Sequence, residues 1–152
     1  SPLAYFPTLV MRQAPPPDGV AFPPLPVFSR DALKLTFEPP LFDPYLDERA
    51  HLMVLVHDCE GRPAADVKVV LGQEVQDVRT LTFAIADTGE PLYDRDVSRQ
   101  NGIVGYLNLP TEGRADAAVT VRDARSGAPL FGGAAPGVML QKGMLTLLVI
   151  DL

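Results

Sequence analysis

The stretch His51-Leu-Met-Val-Leu-Val-His57 decides the fold class. It is apolar on both faces and bounded by polar residues, which is typical of a β-strand covered on two sides. The residues after it continue as short apolar or alternating segments, and no window carries a sustained helical period over helical length. We therefore expect an all-β fold. The other predicted strands are 65–71, 79–86, 104–109, 116–122, 137–141 and 144–152.

Alternating side chains predict which faces of these strands are buried. Val67, Val69 and Leu71 share one face of their strand. Leu81, Phe83 and Ile85 alternate with Thr80 and Thr82, and we expect the three apolar side chains to point inward.

Three of the connections between predicted strands contain the same types of turn-forming residue. Segments 58–63, 87–91 and 123–129 each begin with Asp, contain Gly and end with Pro. Asp accepts hydrogen bonds from nearby backbone amides, Gly supplies a positive φ, and Pro restarts an extended chain. Evenly spaced strands joined by such turns predict a sandwich or a barrel rather than a parallel sheet, because parallel strands need long crossovers.

The N-terminal third has a different composition. Eleven of the sixteen prolines lie within residues 1–44, and each proline fixes φ and removes a backbone donor. Large apolar side chains are also frequent there, which a solvated linker would not carry. We expect an extended Pro-rich arm over residues 1–49, with a short strand at 33–37, and a β-sandwich domain over residues 50–152.

The apolar side chains of the arm need a surface to cover them. That surface is either a partner protein or, as the alternative, the edge of the domain's own sheet. A variant lacking residues 1–26 is expected to remain folded and to lose its partner. The candidate partner-binding residues are Tyr5, Phe6, Leu9, Phe22, Leu25 and Phe28.

The body of the chain resembles the transthyretin-like superfamily of β-sandwiches, especially its carboxypeptidase-regulatory-like and CnaB-like modules. The likeness is carried by Val54-Leu-Val-His-Asp58, Gly61-Arg-Pro63, Val67-Lys-Val69, Gly105-Tyr106 and Ala118-Val-Thr-Val-Arg122. It covers about residues 50–152 and implies a single Greek-key-type sandwich. Such modules are commonly extracytoplasmic, mostly non-catalytic, and pack against or link other domains. The resemblance thus implies a periplasmic or cell-surface accessory or assembly subunit with protein partners, for which a membrane-associated complex is one candidate.

The sequence offers no catalytic constellation, and we expect no catalytic residue, metal or cofactor. His51 and His57 lie six residues apart, about 20 Å along a straight strand, so they cannot share a metal. We interpret both as strand-end residues near the surface. Cys59, the single cysteine, is interpreted as a small buried or semi-buried residue.

One acidic stretch supports a second hypothesis, a small-molecule or carbohydrate-binding module. Its carboxylates could serve as calcium ligands, but their spacing is not that of an EF-hand, so a solvated surface loop is the favoured interpretation. A concave site lined by this loop with Tyr93 and Tyr106 would bind a polar ligand. The stretch comprises Asp87, Glu90, Asp94 and Asp96.

Charge and hydropathy exclude two classes of partner. Thirteen Lys and Arg against nineteen Asp and Glu give a net charge of −6, so neither nucleic acid nor an anionic membrane surface is attracted overall. The longest nearly unbroken apolar stretch, residues 144–150, is far shorter than the roughly 20 residues that span a bilayer. The opening Ser1, without an initiator Met, is compatible with a processed secreted protein or lipoprotein.

Overall fold

A computed structural model describes residues 5–12, 28–130 and 137–152. The helical elements among them are α1 (Arg30–Thr36), α2 (Pro39–Phe42) and the short 3-10 helices Asp43–Tyr45 and Gln73–Val75. The strands are β1 (Thr8–Arg12), β2 (Ala50–His57), β3 (Val67–Leu71), β4 (Leu81–Ile85), β5 (Pro91–Tyr93), β6 (Ile103–Leu109), β7 (Arg114–Asp123), β8 (Gly137–Gln141) and β9 (Leu145–Asp151).

The strands form two sheets, which confirms the prediction of an all-β sandwich. The large sheet has the order β1-β9-β2-β6-β4-β5, and the small sheet has the order β3-β7-β8. The expectation that the chain contains no parallel strand pair was wrong, because β9 runs parallel to both β1 and β2. The long crossover that parallel pairing requires is supplied by the rest of the domain, since β3 to β8 lie between β2 and β9 in the chain.

The main core lies between the two sheets. Val67, Val69 and Leu71 of β3 are buried there, as their alternation predicted. They face buried side chains of the large sheet, including Val54 and Ile150. Strand β2 is buried along most of its length, which confirms that it is covered on two sides.

A second apolar cluster covers the other face of the large sheet. Phe83 of β4 is fully buried in it, and Leu81 and Ile85 pack against it. The cover comes from the N-terminal part of the chain: Phe37 contacts the rings of both Phe42 and Phe83, with centroids 5.4 and 4.7 Å away. The alternation in β4 was therefore predicted correctly, but its apolar face meets the N-terminal segment rather than the second sheet.

The predicted strand at 33–37 was wrong, because residues 30–36 form helix α1. Ser29 caps the helix by accepting a hydrogen bond from the Ala32 amide at 3.0 Å. Leu33 and Phe37, four residues apart, are buried on one side, while Leu35 is 88% exposed. These are helical spacings. The chain is also helical at 39–45 rather than extended, since a proline is tolerated in the first turn of a helix.

Turns form at all three predicted segments, and the Asp58 and Asp123 carboxylates accept hydrogen bonds from backbone amides as expected. The Asp58 Oδ1 atom accepts hydrogen bonds from the amides of Glu60 and Arg62, each at 2.9 Å, and Gly61 has a φ of 77°. Strands β4 and β5 form an antiparallel hairpin across segment 87–91. Cys59 is exposed at the tip of the first turn rather than buried, because a tight turn leaves its central side chains in solvent.

Candidate functional site

The predicted partner-binding residues divide into buried and exposed positions. Phe6 is only 2% exposed and belongs to the second apolar cluster, whereas Tyr5 is 60% exposed. Leu9 and Phe28 are half-buried, and Phe28 packs against that same cluster. Phe22 and Leu25 lie outside the described residues.

Phe6 is fixed from several directions. Its amide donates to the Phe28 carbonyl at 2.9 Å. The Arg30 guanidinium lies 5.2 Å from the centre of its ring, and the His51 ring lies at 5.7 Å. The described start of the arm is therefore built into the chain's own fold. For this reason a variant lacking residues 1–26 would lose core contacts. A loss of partner binding in that variant would therefore not distinguish a lost binding surface from a damaged fold.

Strand β1 forms one border of the large sheet. All five of its residues are half-buried, and it pairs with β9 from Thr8↔Leu145 to Arg12↔Val149. Within the described residues, no strand pairs with its outer edge. An outermost strand of this kind presents backbone donors and acceptors to which another extended segment can pair.

A buried polar cluster joins the N-terminal cover to the large sheet at Asn108. The pairing of β2 with β6 shifts by one residue here, and Asn108 has a φ of 61°, as in a β-bulge. Its side-chain amide donates to the Leu41 carbonyl at 2.7 Å, and its backbone amide donates to His51 Nδ1 at 3.1 Å. The Arg49 guanidinium donates to the Asn108 carbonyl at 2.7 Å and to the Asp77 carboxylate at 2.9 Å. The bulge thus connects the N-terminal cover, β2 and the loop before β4.

His51 is a buried member of this cluster, so its predicted surface position was wrong. It is 1% exposed, and the ring of Phe42 lies 5.1 Å away. Because Nδ1 accepts from Asn108, Nε2 carries the proton and donates to the Leu46 carbonyl at 3.0 Å. Burial lowers the pKa of His51 from 6.5 to about 4, although the bond to Leu46 and the nearby Asp47 carboxylate act in the opposite direction. His51 is therefore neutral at pH 7.

The two sheets flank a first polar cleft of about 310 Å³, the Asp96 cleft, lined by Gln73, Gln76, Thr82, Asp94, Asp96 and Tyr106 among others. The segment before β6 runs along the edge of β3, where the Val69 amide donates to the Asp96 carbonyl at 2.8 Å. The Asp96 carboxylate lies 3.5 Å from the Lys68 ammonium. Amide, hydroxyl and carboxylate groups therefore meet at one opening.

This cleft brings together part of the predicted ligand site. Asp94, Asp96 and Tyr106 line it, but Tyr93 packs on the opposite face of the sheet, where its hydroxyl accepts from the Glu38 amide at 2.9 Å. Asp87 and Glu90 are not among the lining residues. The Tyr106 hydroxyl donates to the Val69 carbonyl at 2.7 Å, and burial raises its pKa to about 12. Tyr106 therefore forms a fixed wall rather than a reactive group.

A second cleft, the Thr111 cleft, has a volume of about 400 Å³ and lies where three connections meet. Its lining residues come from the segment just before β2, the turn after β6 and the β8–β9 turn. Thr111 is 7% exposed, and its hydroxyl finds no hydrogen-bond partner among the described residues. The lining comprises Glu48, Arg49, Pro110, Thr111, Glu112 and Lys142.

Sequence reasoning missed Asn108 and Thr111. Asn108 carried a usable signal, because an Asn inside the apolar run 103–109 is typical of a bulge or of a left-handed backbone position. Thr111 carried no such signal, since Thr after a Leu-Pro pair is an ordinary turn residue.

Comparison with known proteins gives no family for this chain. No family model and no curated protein matches it. Within residues 5–12, 28–130 and 137–152, no three His, Cys, Asp or Glu side chains are grouped so that they could hold a metal ion. No helix among these residues is long and apolar enough to cross a membrane.

Proposed function

We propose that this chain is a non-enzymatic, extracytoplasmic β-sandwich that binds protein partners at its N-terminal edge, as an accessory or assembly subunit. A membrane-associated complex is one candidate assembly. The observation that carries the proposal is the contrast between two adjacent residues at the start of the described chain. Phe6 is buried and anchors the segment, while Tyr5 is exposed beside the border strand β1.

The surroundings of Tyr5 suit a protein partner. Tyr5 forms a β-bridge with Ser29, and α1, which begins one residue later, displays the exposed Leu35. Exposed tyrosines are frequent anchors of protein interfaces because they bury a large amphipathic ring at low entropic cost. An extended partner segment that pairs with β1 would add main-chain hydrogen bonds to that anchor.

The finer fold assignment forms part of the proposal. The segments that carry the resemblance to transthyretin-like, carboxypeptidase-regulatory-like modules fall on β2, β3, β6 and β7 and on the turn after β2. The two-sheet architecture supports a sandwich of this kind. Because such modules are commonly extracytoplasmic, the resemblance also supports a periplasmic or cell-surface location.

A photo-crosslinking residue at position 5 is expected to capture one discrete protein in the native host, and Tyr5→Ser is expected to weaken retention of that protein about tenfold or more. The matched control is position 78, because Val78 is also exposed but lies on the loop before β4. The products are identified by mass spectrometry. Equal crosslinking at positions 5 and 78, or no product at position 5, would contradict the proposal.

The second candidate function is a small-molecule or carbohydrate-binding module. The observation in its favour is the Asp96 cleft, where Asp94, Asp96 and Tyr106 meet. Pockets that bind small molecules typically have volumes of about 300–1,000 Å³, and this cleft falls at the lower end of that range.

Thermal-shift screening tests this second function. A ligand at ten times its Kd is expected to stabilise the wild type by about 1.4 kcal/mol, a rise in Tm of several degrees. Asp96→Asn removes a charge that lines the cleft and should abolish the shift, whereas Asp151→Asn, on β9 outside the cleft, should retain it. A shift that survives Asp96→Asn would place the ligand elsewhere.

A further inference from the structure

The helical cover, residues 28–46, depends on its contacts with the large sheet. It consists of α1, α2 and one 3-10 helix, and helices this short are not stable alone in water. Within the described residues, its β-pairing is limited to one bridge, Tyr5↔Ser29. The cover therefore stays ordered only while its buried side chains remain packed on the sheet. These are Leu33, Phe37, Phe42 and Leu46.

The main core does not include the helical cover. The buried members of that core among the described residues all lie at position 50 or later. Of the half-buried side chains that pack against it, Met11 alone precedes them. Parts of a protein that share few contacts with the core can open locally, at a lower free energy than global unfolding. The helical cover meets this condition.

His51 connects the helical cover to the sheet through both of its ring nitrogens. Nε2 donates to the Leu46 carbonyl at 3.0 Å, and Nδ1 accepts from the Asn108 amide at 3.1 Å. The rings of Phe6 and Phe42 lie 5.7 and 5.1 Å from the imidazole. A second proton, on Nδ1, would place an N–H group against the Asn108 N–H group, so that two donors face each other. The observed contacts therefore fit only the neutral ring.

The cover side of this site offers little compensation for a charged ring. The carboxylate that acts on His51 is Asp47, and it is already paired with the Arg30 guanidinium of α1 at 2.7 Å. Helix α2 carries no charged residue. A positive charge on His51 would thus share a carboxylate that α1 already uses.

The sheet side adds a like charge. The Arg49 guanidinium donates to the Asn108 carbonyl at 2.7 Å, and its carboxylate partner is Asp77. Strand β6 carries no charged residue. The charged residue of β9, Asp151, lies beside His57 at the opposite end of β2. Protonation of His51 is therefore disfavoured while the helical cover is in place.

We propose that the helical cover is released by acid: protonation of His51 breaks its hydrogen bond with Asn108 and frees residues 28–46, while the two sheets stay folded. Opening would expose apolar side chains on the outer face of the large sheet, among them Met53, Phe83 and Leu147. This conformational change does not depend on the partner-binding function proposed above.

The expected size of the effect follows from linkage. Burial lowers the pKa of His51 from 6.5 to about 4 in the closed form, whereas a ring in water keeps its ordinary pKa. Because the open form binds the proton more readily, acid favours opening. The equilibrium constant for opening should rise about twentyfold between pH 7 and pH 5.

Amide hydrogen exchange of the full chain, followed by NMR at pH 7 and pH 5, tests the proposal. Rates are corrected for the intrinsic pH dependence of exchange. The reporters in the cover are the amides of Phe37 and Phe42, which donate to carbonyls within it, and the reporters in the sheets are the amides of Val56 and Val69. At pH 5 the cover amides should be at least about tenfold less protected than those of the sheets. Their protection should be about twentyfold higher at pH 7.

Two variants assign the pH dependence to the imidazole. His51→Gln retains a side-chain amide but cannot titrate, so protection of the cover should no longer change between pH 7 and pH 5. Asp47→Asn is the matched control. It removes the carboxylate that acts on the ring and leaves the imidazole in place, so the pH dependence should persist.

Three results would overturn the proposal. In the first, the cover and the sheets have equal protection at pH 5, because they open only together. In the second, protection of the cover in the wild type is the same at both pH values, a comparison that requires no variant to fold. In the third, His51→Gln retains the full pH dependence.

Discussion

Phe6→Ala is expected to lower the free energy of unfolding by about 3–5 kcal/mol, the usual loss when a buried Phe is truncated. Its side chain is 2% exposed and packs in the cluster that covers the outer face of the large sheet. The cavity would also loosen the N-terminal cover, because Phe6 contacts the His51 ring and the Arg30 guanidinium. Since domains of this size are commonly stable by 5–15 kcal/mol, a large share of the total would be lost. Urea denaturation followed by circular dichroism measures the change.

Tyr5→Ala is the matched control for Phe6→Ala. Tyr5 is the preceding residue and also aromatic, but it is 60% exposed, so we expect a change within about 0.5 kcal/mol. If both variants lost the same stability, or if Phe6→Ala lost less than about 1 kcal/mol, the N-terminal segment would not be part of the folded core.

Acidification from pH 7 to pH 4 is expected to remove about 3 kcal/mol of stability through His51 alone. Burial lowers the pKa of His51 from 6.5 to about 4, so between these values the unfolded chain binds a proton that the folded chain does not. The contribution of the neutral ring is fully present above pH 6.5 and is lost as the pH falls toward 4. Protonation of Nδ1 would also place a second donor against the Asn108 amide.

Two measurements isolate this contribution. His51→Gln should flatten the fall in stability between pH 6.5 and 5, because it removes the buried ring whose pKa is lowered. NMR titration of the wild type gives a test that does not depend on whether a variant folds: the His51 ring should stay neutral down to about pH 4. A His51 that becomes protonated near pH 6.5 in the folded protein would refute the prediction.

The strands of the body could be predicted because their pattern is local. Val67, Val69 and Leu71 alternate with Lys68 and Val70, and two-residue periodicity requires no knowledge of the partner strand. The parallel position of β9 could not be predicted in this way. Its pairing with β2 joins residues far apart in the chain, and no turn fixes their register.

The segment before the body was mispredicted because its pattern fits two periods. Leu33, Leu35 and Phe37 alternate as in a strand, but Leu33 and Phe37 also lie one helical turn apart. The helix is favoured because Ser29 caps its first turn and because Leu33 and Phe37 are both buried in the second apolar cluster. The two clefts could not be predicted from the sequence, because each is lined by residues that only the tertiary fold brings together. Thr111 is informative only once the structure shows that its hydroxyl is buried and unpartnered.

The position of β9 between β1 and β2 also determines when the protein can fold during its synthesis. Both of these strands precede β9 in the chain. Among the described strands, β1 pairs with β9 alone, and β2 pairs with β6 on one side but needs Leu145–Asp151 on the other. Until β9 leaves the ribosome, the nascent chain exposes β1 and β2 without the strand that lies between them in the folded sheet. Such long-range closure is slow, and unpaired strands aggregate readily. A ribosome that stalls before Leu145 would therefore release a chain prone to aggregation and dependent on chaperones.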